Sequence, residues 1–184
     1  MPDHFDEVHV SVLKRARQTA EAVLAAMGTS EVPVYATWRL NERHYGALQG
    51  LNKQEIFSTW GEQESRKWWR GYYMPPPPVE MDDPRHPRFD PLYADLPAEW
   101  LPASESLQDC QRRMLPYWYE VLLPRLKKGR RLLVISHGNT LRGLVMYLEG
   151  LSAEVMEHVE IPSGVPLVYR FSPELEWESK EWLA

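Results

Sequence analysis

The chain has 184 residues, 43% of them apolar, which is enough for one α/β domain that buries a single hydrophobic core. Its formal net charge of -5 argues against sequence-independent nucleic-acid binding, because such binding needs a basic surface that displaces counterions. A single cysteine, Cys110, excludes an internal disulfide bond.

The sequence carries no signal for export or membrane insertion. Residues 1–7 are acidic and lack the basic start and the apolar run of a signal peptide. The longest apolar stretch, residues 141–151, is interrupted by Arg142 and Glu149, whereas a bilayer span takes about 20 apolar residues. We therefore predict a cytoplasmic protein without membrane partners.

The N-terminal region predicts a strand that runs into a helix. Residues 8–11 are typical of a short strand, and apolar residues recur at helical spacing over 13–27 until Gly28 ends the helix. Ser11 is the candidate N-cap. Arg15 would then lie in the first turn, where a cation is unfavourable unless an anion binds there, so its position indicates a phosphate site.

A second strand is predicted over residues 32–40, and it leads into a loop, residues 40–53, that is suited to anions. Glu42 lies in this loop among basic or imidazole side chains. A carboxylate cannot bind phosphate, so Glu42 is the candidate for proton transfer while its neighbours hold the ligand's charge. The neighbours are Arg43, His44 and Lys53, and a short helix is predicted at about 53–60.

Residues 61–102 are predicted to form an inserted cap. Prolines at 75–78, 84, 87, 91 and 97 argue against regular helix or a central strand. A free proline-rich linker is the alternative, but linkers seldom hold so many Trp and Tyr residues, which bury large areas. An ordered cap is therefore favoured.

The C-terminal half predicts a helix, a buried strand and a second ligand-binding turn. A helix is expected over 106–126 with a kink at Pro116, and residues 132–136 form an apolar run typical of a parallel strand. Residues 137–140 then turn into a helix from Leu141. Ligands of open α/β sheets bind where strands end and helices begin, so His137, Gly138 and Asn139 are site candidates. A last strand is predicted over 165–171.

Each candidate also has an ordinary structural interpretation. His137 alone would be a hydrogen-bonded core histidine, and Arg15 an exposed helix charge. The position of His137 between an apolar strand and a helix N-terminus favours a functional role. A metal site built from His44 and His137 is the rival chemistry, but their spacing is not that of metal ligands and the nearby cations would repel a divalent ion. We therefore predict no metal.

Long stretches of the sequence resemble the cofactor-dependent phosphoglycerate mutases. The stretches are residues 11–16, 40–53, 105–107, 116–118, 136–142 and 161–169. The 40–53 block distinguishes the chain from the broader histidine phosphatases, to which it is also similar, because those generally keep the acid but not the whole string. The resemblance implies a mostly parallel sheet flanked by helices, in a single domain over residues 1–184 that includes the inserted cap.

The resemblance also implies a reaction, the interconversion of 3-phosphoglycerate and 2-phosphoglycerate in glycolysis. It would be primed by 2,3-bisphosphoglycerate and pass through a phosphohistidine, so the partners are small phosphorylated acids. Glu42 matches the proton donor and acceptor, and His137 the histidine that stabilises the transferring phosphoryl group. The positions that match contacts to phosphate or carboxylate are Arg15, Arg43, Tyr45, Lys53, Arg70, Gly138 and Asn139.

Two family features are absent from these 184 residues. The family usually has two adjacent arginines where this chain has Trp69 and Arg70. It also carries an N-terminal strand with Arg-His-Gly, whose His takes the phosphoryl group, and no such tripeptide occurs here. We therefore expect an N-terminally truncated form of the fold, in which losing a central strand forfeits on the order of 10 kcal/mol.

Three interpretations of the missing segment stay open. The gene product is a mutase whose start is misread or whose gene is damaged, a non-catalytic relative that binds phosphoglycerates or another subunit, or a weak phosphatase that uses water or His137. The gap left by the strand favours self-association, so a homo-oligomer is expected.

Overall fold

The computed structural model describes residues 4–29 and 31–183. Residues 1–3, which contribute to the signal-peptide prediction, and Ala184, the predicted end of the domain, lie outside the described residues, as does Ser30. The core is a parallel sheet of three strands in the order β2-β1-β3. The strands are β1 (Glu7–Ser11), β2 (Val34–Thr37) and β3 (Leu132–Ile135). Helices flank this sheet, which confirms the predicted α/β fold class.

The central strand β1 has one apolar and one polar face. Val8 and Val10 pack with Ala16 and Ala20 of helix α1 (Lys14–Ala26). The alternate residues point to the other face, where His9 is fully buried and its Nδ1 lies 2.7 Å from the hydroxyl of a tyrosine. This polar face ends at Ser11.

The predicted N-cap of α1 is wrong. Leu13 occupies the N-cap position and provides no side-chain hydrogen bond. Ser11 lies two residues earlier. Its hydroxyl donates to Asn41 Oδ1 (2.8 Å) and accepts from the amide of Leu13 (3.1 Å), the N-cap residue itself, so it does not cap the first turn. The predicted helix end is confirmed, because Gly28 follows α1 in the left-handed region with φ +68°.

The second strand is shorter than predicted, and the following helix begins and ends where predicted. After β2 the chain forms a 3-10 turn at Trp38–Leu40, because the Thr37 hydroxyl accepts from the amide of Arg39. Helix α2 spans Lys53–Trp60. Its start is fixed by a capping box between Asn52 and Glu55.

The cap begins with a helix, so the prediction of no regular helix over 61–102 is wrong for its first part. Helix α3 spans Glu62–Arg70, ahead of the prolines that begin at residue 75, with acids in its first turn and bases in its last. Beyond α3 the cap contains 3-10 turns at Pro87–Phe89, Pro91–Tyr93 and Ala98–Trp100. Gly46 packs directly under the cap, since a Cβ there would lie 2.1 Å from the Pro77 carbonyl oxygen.

The helix after the cap is interrupted, as predicted, although not at the predicted residue. It consists of α4 (Leu107–Tyr117), a π-helical turn (Trp118–Leu122) and α5 (Leu123–Lys127). The wider turn lies between Pro116 and Pro124. Pro124 has no amide proton and its ring would meet a carbonyl four residues earlier, which accounts for the loss of regular α-helical bonding.

The C-terminal part contains helix α6 (Gly138–Glu149), helix α7 (Ala153–His158) and a hairpin. The hairpin pairs β4 (Leu167–Phe171) with β5 (Trp177–Trp182), a strand that sequence reasoning missed, in a separate antiparallel sheet. Phe171 packs in the same apolar cluster as Leu132 and Val134 of β3. Within the described residues, β3 and β4 each pair with one strand only, so each has an unpaired edge. None of the described helices has the length and hydropathy of a membrane span.

Candidate active site

The candidate site lies where the parallel strands end. Ser11 closes β1, His137 follows β3 after one residue, and the loop after β2 brings Asn41 and Glu42 to the same edge. The hydroxyl of Ser136 donates to the Leu40 carbonyl (2.7 Å), which ties the ends of β2 and β3 together. The carboxyl ends of the strands therefore bring two of the predicted site residues, Glu42 and His137, to the same side of the sheet, as expected for an open α/β sheet.

His137 occupies the N-cap position of α6 and is almost fully buried. Its Nε2 lies 2.9 Å from Ser11 Oγ, and its Nδ1 accepts from Nε of the exposed Arg15 (3.2 Å). Burial lowers the pKa of His137 to about 4, and the positive charges of Arg15 and Arg113 act in the same direction. The ring is therefore neutral at pH 7. Its hydrogen bond to Arg15 connects the start of α6 to α1.

Glu42 is half-buried and accepts from the amide of Arg43 through Oε1 (2.8 Å). Its loop is held from behind by Arg113, whose guanidinium donates to the carbonyls of Trp38, Arg39 and Asn41 at 2.9–3.1 Å. The Arg113 guanidinium also pairs with the buried Glu105 carboxylate (2.6 Å). Sequence reasoning missed both Arg113 and Glu105, because the backbone groups that they bind, such as the Trp38 carbonyl and the His44 amide, lie more than 60 residues away in the chain.

Five of the predicted binding residues line one cleft of about 750 Å³. They are Tyr45, Lys53, Arg70, Gly138 and Asn139, joined by Trp69 and Arg142. A Cβ at Gly138 would meet nothing within 4 Å, so the start of α6 is open toward a ligand. Lys53 Nζ lies 6.0 Å from the centre of the Trp69 ring. Trp69 occupies the position at which the resemblance leads one to expect an arginine.

Arg43 and His44 bind protein groups in the wall behind the cleft. The Arg43 guanidinium donates to the Trp68 carbonyl (2.7 Å) at the end of α3 and stacks on Tyr45 at 4.7 Å. His44 Nδ1 accepts from the Gly46 amide (3.2 Å), and burial lowers the pKa of this imidazole. Neither side chain lines the cleft in this structure.

Arg142 is a buried cation of the cleft that sequence reasoning did not assign. Its guanidinium donates to Asn139 Oδ1 (3.0 Å) and to the Met156 carbonyl (2.6 Å). Asn139 Nδ2 in turn donates to the Tyr45 hydroxyl (2.7 Å). Burial lowers the pKa of Arg142, followed by the charges of Arg70 and Arg43. Its signal in the sequence is a single charge within residues 138–148, which are otherwise uncharged.

Among residues 4–29 and 31–183, no group of three or more His, Cys, Asp or Glu side chains is arranged to hold a metal ion. The candidate site contains cations, amide groups and the Glu42 carboxylate. Cations and amides of this kind can bind a phosphate or carboxylate, and a carboxylate can transfer a proton. Glu42 is not among the residues that line the cleft.

The sequence matches the histidine phosphatase superfamily (branch 1) over residues 2–88 and 79–182. It is 51% identical over 165 residues to the 2,3-bisphosphoglycerate-dependent phosphoglycerate mutase of Nitratidesulfovibrio vulgaris (strain DSM 19637 / Miyazaki F). That alignment covers 90% of this chain and 66% of the relative, so the chain spans just under two thirds of the relative's length.

Two solved structures are similar in fold. Bacillus stearothermophilus YhfR superimposes with a TM-score of 0.68 at 19% identity, over 95% of this chain and 72% of that chain. A mycobacterial glucosyl-3-phosphoglycerate phosphatase in complex with inorganic phosphate gives a TM-score of 0.66 at 21% identity, over 99% and 78%. At this level of identity the likeness establishes the shared fold.

Proposed function

Because the chain belongs to the histidine phosphatase superfamily, we propose that its cleft binds small phosphorylated acids and that the complete protein interconverts 3-phosphoglycerate and 2-phosphoglycerate. The observation that carries the proposal is the convergence of Lys53, Arg70 and Asn139 on one cleft at the N-terminus of α6. A helix N-terminus and two cations are suited to an anion that bears both a phosphate and a carboxylate.

Each residue has a proposed role that its contacts support. Lys53 and Arg70 are exposed cations that bind the phosphate or carboxylate of the ligand. The Asn139 amide and the start of α6 at Gly138 donate hydrogen bonds to it. Glu42 moves a proton to or from the substrate hydroxyl, because an acceptor is needed when that hydroxyl attacks a phosphoryl group.

Arg43 and His44 have a supporting role in this proposal. Their hydrogen-bonding atoms bind the end of α3, Gly46 and Glu105, so they shape the cleft wall. Arg15 is the further cation for the transferring phosphoryl group, because His137 holds it through Nε only. The predicted contact of Arg43 and His44 with substrate stays a prediction beside this supporting role.

The residues fit 2,3-bisphosphoglycerate. Lys53 and Arg70 line a space of about 750 Å³, which can hold a three-carbon acid with two phosphates. Arg15 is bonded to His137, the neighbour of the lining residue Gly138. When bound, this cofactor supplies the phosphoryl group that primes the enzyme. The chain's own residues hold its anionic groups.

We further propose that the nucleophilic histidine of the complete protein reaches the site on a strand between β3 and β4. Both nitrogens of His137 are bound to Ser11 and Arg15, so this ring is not available as the nucleophile in the present arrangement. Among the described residues β3 and β4 each pair with one strand only, and Leu132, Val134 and Phe171 of these strands pack in one apolar cluster, which supports such an insertion. The greater length of the Nitratidesulfovibrio vulgaris relative is consistent with an additional segment.

The test uses protein isolated from its own source and measures its intact mass and its conversion of 3-phosphoglycerate to 2-phosphoglycerate. We expect a mass several kilodaltons above 21.5 kDa, an Arg-His-Gly in the extension, and conversion that requires 2,3-bisphosphoglycerate. Release of inorganic phosphate without conversion would indicate a phosphatase and overturn the mutase proposal. Calorimetry that detects no binding of either phosphorylated acid would overturn the cleft assignment as well.

A matched pair of variants tests the cleft itself. Lys53→Gln removes a cleft cation and should raise KM for 3-phosphoglycerate by about tenfold, on the scale of one charge-assisted hydrogen bond. Lys127→Gln removes an exposed lysine at the end of α5 and should leave KM unchanged. Equal effects of the two substitutions would contradict the assignment of the cleft.

Association between copies is also a proposal. The unpaired edges of β3 and β4 offer backbone donors and acceptors beside an apolar cluster, which favours strand addition by a second copy. Light scattering on the purified 184-residue chain tests this. A single monomeric species over a wide concentration range would contradict it.

A further inference from the structure

A continuous line of hydrogen bonds runs through the buried strand ends to His137. Asn41 Oδ1 accepts from the Val12 amide (3.1 Å) and from the Ser11 hydroxyl (2.8 Å). Ser11 Oγ lies 2.9 Å from His137 Nε2, and His137 Nδ1 accepts from Arg15 Nε (3.2 Å). Ser11, Asn41 and His137 are all buried, so water does not compete with these bonds.

Both ends of this line are groups that can only donate, and this fixes the direction of every bond. The Val12 amide must donate, so the atom of Asn41 facing it is the carbonyl oxygen. A carbonyl oxygen can only accept, so the single hydroxyl proton of Ser11 points to Asn41. Ser11 Oγ can then only accept from His137, and Nε2 must carry the ring proton.

The other end of the line leads to the same assignment. A guanidinium has no acceptor, so the Nδ1 that faces Arg15 must carry a lone pair. A neutral imidazole has one protonated and one unprotonated nitrogen, which agrees with the assignment reached from Val12. The opposite tautomer would set two donors against each other at Arg15 and leave two acceptors facing at Ser11.

We propose that Ser11 and Asn41 are positioning residues that hold His137 as the neutral Nε2–H tautomer, with the Nδ1 lone pair directed at Arg15. Arg15 is thereby fixed at Nε, while its two terminal nitrogens have no hydrogen-bond partner among residues 4–29 and 31–183. The guanidinium is oriented for an anion before that anion binds. The use of Arg15 for a phosphate rests on the proposed function, whereas the tautomer does not.

The cap is connected to the same line. Asn41 Nδ2 donates to the hydroxyl of Tyr93 (2.8 Å), which belongs to a 3-10 turn of the cap. This bond is a second restraint on the Asn41 amide, because it keeps Nδ2 directed away from Ser11. The orientation of His137 therefore depends on one backbone amide and one cap residue in addition to Ser11.

The test records long-range proton–nitrogen NMR spectra of the ¹⁵N-labelled 184-residue chain at pH 7 without ligand. The spectra report which ring nitrogen of His137 carries a proton. We expect protonated Nε2 and unprotonated Nδ1 in one dominant species. Ser11→Ala removes the buried acceptor and leaves only the bond from the exposed Arg15, where water competes, so it should give a mixture of tautomers. Ser11→Thr keeps a hydroxyl and should restore the single species.

Three further variants make the result specific. Ser136→Ala removes a neighbouring hydroxyl that bonds to Leu40 and should leave the ring unchanged. Asn41→Asp keeps the acceptor oxygen and should keep the Nε2–H form. It tests the role of this oxygen by the same spectra if Ser11→Ala does not fold. Arg15→Met removes the exposed donor and should change the Nδ1 signal while Nε2 stays protonated.

Two results would overturn the proposal: an Nδ1–H or doubly protonated His137 in the unsubstituted chain at pH 7, or a folded Ser11→Ala variant with an unchanged ring spectrum. Because no substrate is used, a failure to convert phosphoglycerates leaves this result untouched. The outcomes of the two proposals are therefore distinguishable.

Discussion

Replacing Arg113 should be among the most destabilising single changes in this protein. Its guanidinium is 7% exposed and pairs with the Glu105 carboxylate, which is 5% exposed. It also donates to three backbone carbonyls of residues 38–41, the segment that leads to Glu42. Arg113→Ala would leave an unpaired buried carboxylate and three carbonyls without this donor.

The magnitude follows from those contacts. Breaking a buried ion pair from one side costs about 3–5 kcal/mol. The Trp38 and Asn41 carbonyls keep other donors, so only the Arg39 carbonyl is orphaned, which adds on the order of 1 kcal/mol. Because the loop can relax, we expect a loss of about 5 kcal/mol in the free energy of unfolding. Whole domains have only about 5–15 kcal/mol, so the alanine variant is close to unfolding. Arg113→Lys keeps the charge but not the planar fork, and it should lose about half as much.

Urea unfolding monitored by tryptophan fluorescence measures both losses. The matched control is Arg112→Ala, because Arg112 is the neighbouring residue, is 69% exposed and faces Asp109 at 4.0 Å. An exposed pair of this kind contributes at most about 1 kcal/mol. If Arg113→Ala is within 1 kcal/mol of the control, the reasoning from the buried pair is refuted.

Three other perturbations have defined outcomes. Gly46→Ala should cost about 3 kcal/mol or more, because a positive φ combines with a backbone clash, whereas Gly50→Ala meets open space and should cost about 1 kcal/mol; equal losses in thermal unfolding would contradict this. Glu160→Gln releases Arg70 from an exposed pair at 2.6 Å and should tighten binding of inorganic phosphate about two- to fivefold at low salt, and unchanged calorimetric affinity would count against it. The free energy of unfolding should fall as the pH drops from about 6.5 to about 4, because His137 is protonated in the unfolded chain but stays neutral when buried. Urea unfolding at a series of pH values should show that His137→Gln removes up to about 3 kcal/mol of this fall. Parallel pH profiles of the two proteins would contradict it.

Local signals predicted much of the fold. Gly28 ends α1 and residues 53–60 form α2, because a glycine stop and a capping box act within a few residues. Helix α3 was missed because the proline density after residue 75 was extended to residues 62–70, which contain no proline. Strand β5 was missed because its six residues are largely charged and exposed on both faces.

Site residues whose location follows from the order of strands and helices could be predicted from the sequence. Those whose role depends on hydrogen-bond partners far away in the chain could not. His137 follows an apolar strand and begins a helix, so its location at the sheet edge could be read from the sequence. Ser11 could not be assigned, because its partners Asn41 and His137 lie 30 and 126 residues away. Arg43 was expected to contact ligand, but its partner is a carbonyl at the end of a helix that was not predicted.

The C-terminal end of α3 determines how much positive charge the cleft presents to an anion. Buried Arg43 and Arg142 donate to the carbonyls of Trp68 and Arg70, where the helix dipole is negative, so much of their charge is compensated inside the protein. The attraction exerted on an incoming anion then comes mainly from the exposed cations of the cleft, which dissolved ions screen over about 10 Å at 0.1 M salt. Ionic strength should consequently act on the rate of ligand capture and leave the rigidity of the cleft wall unaffected.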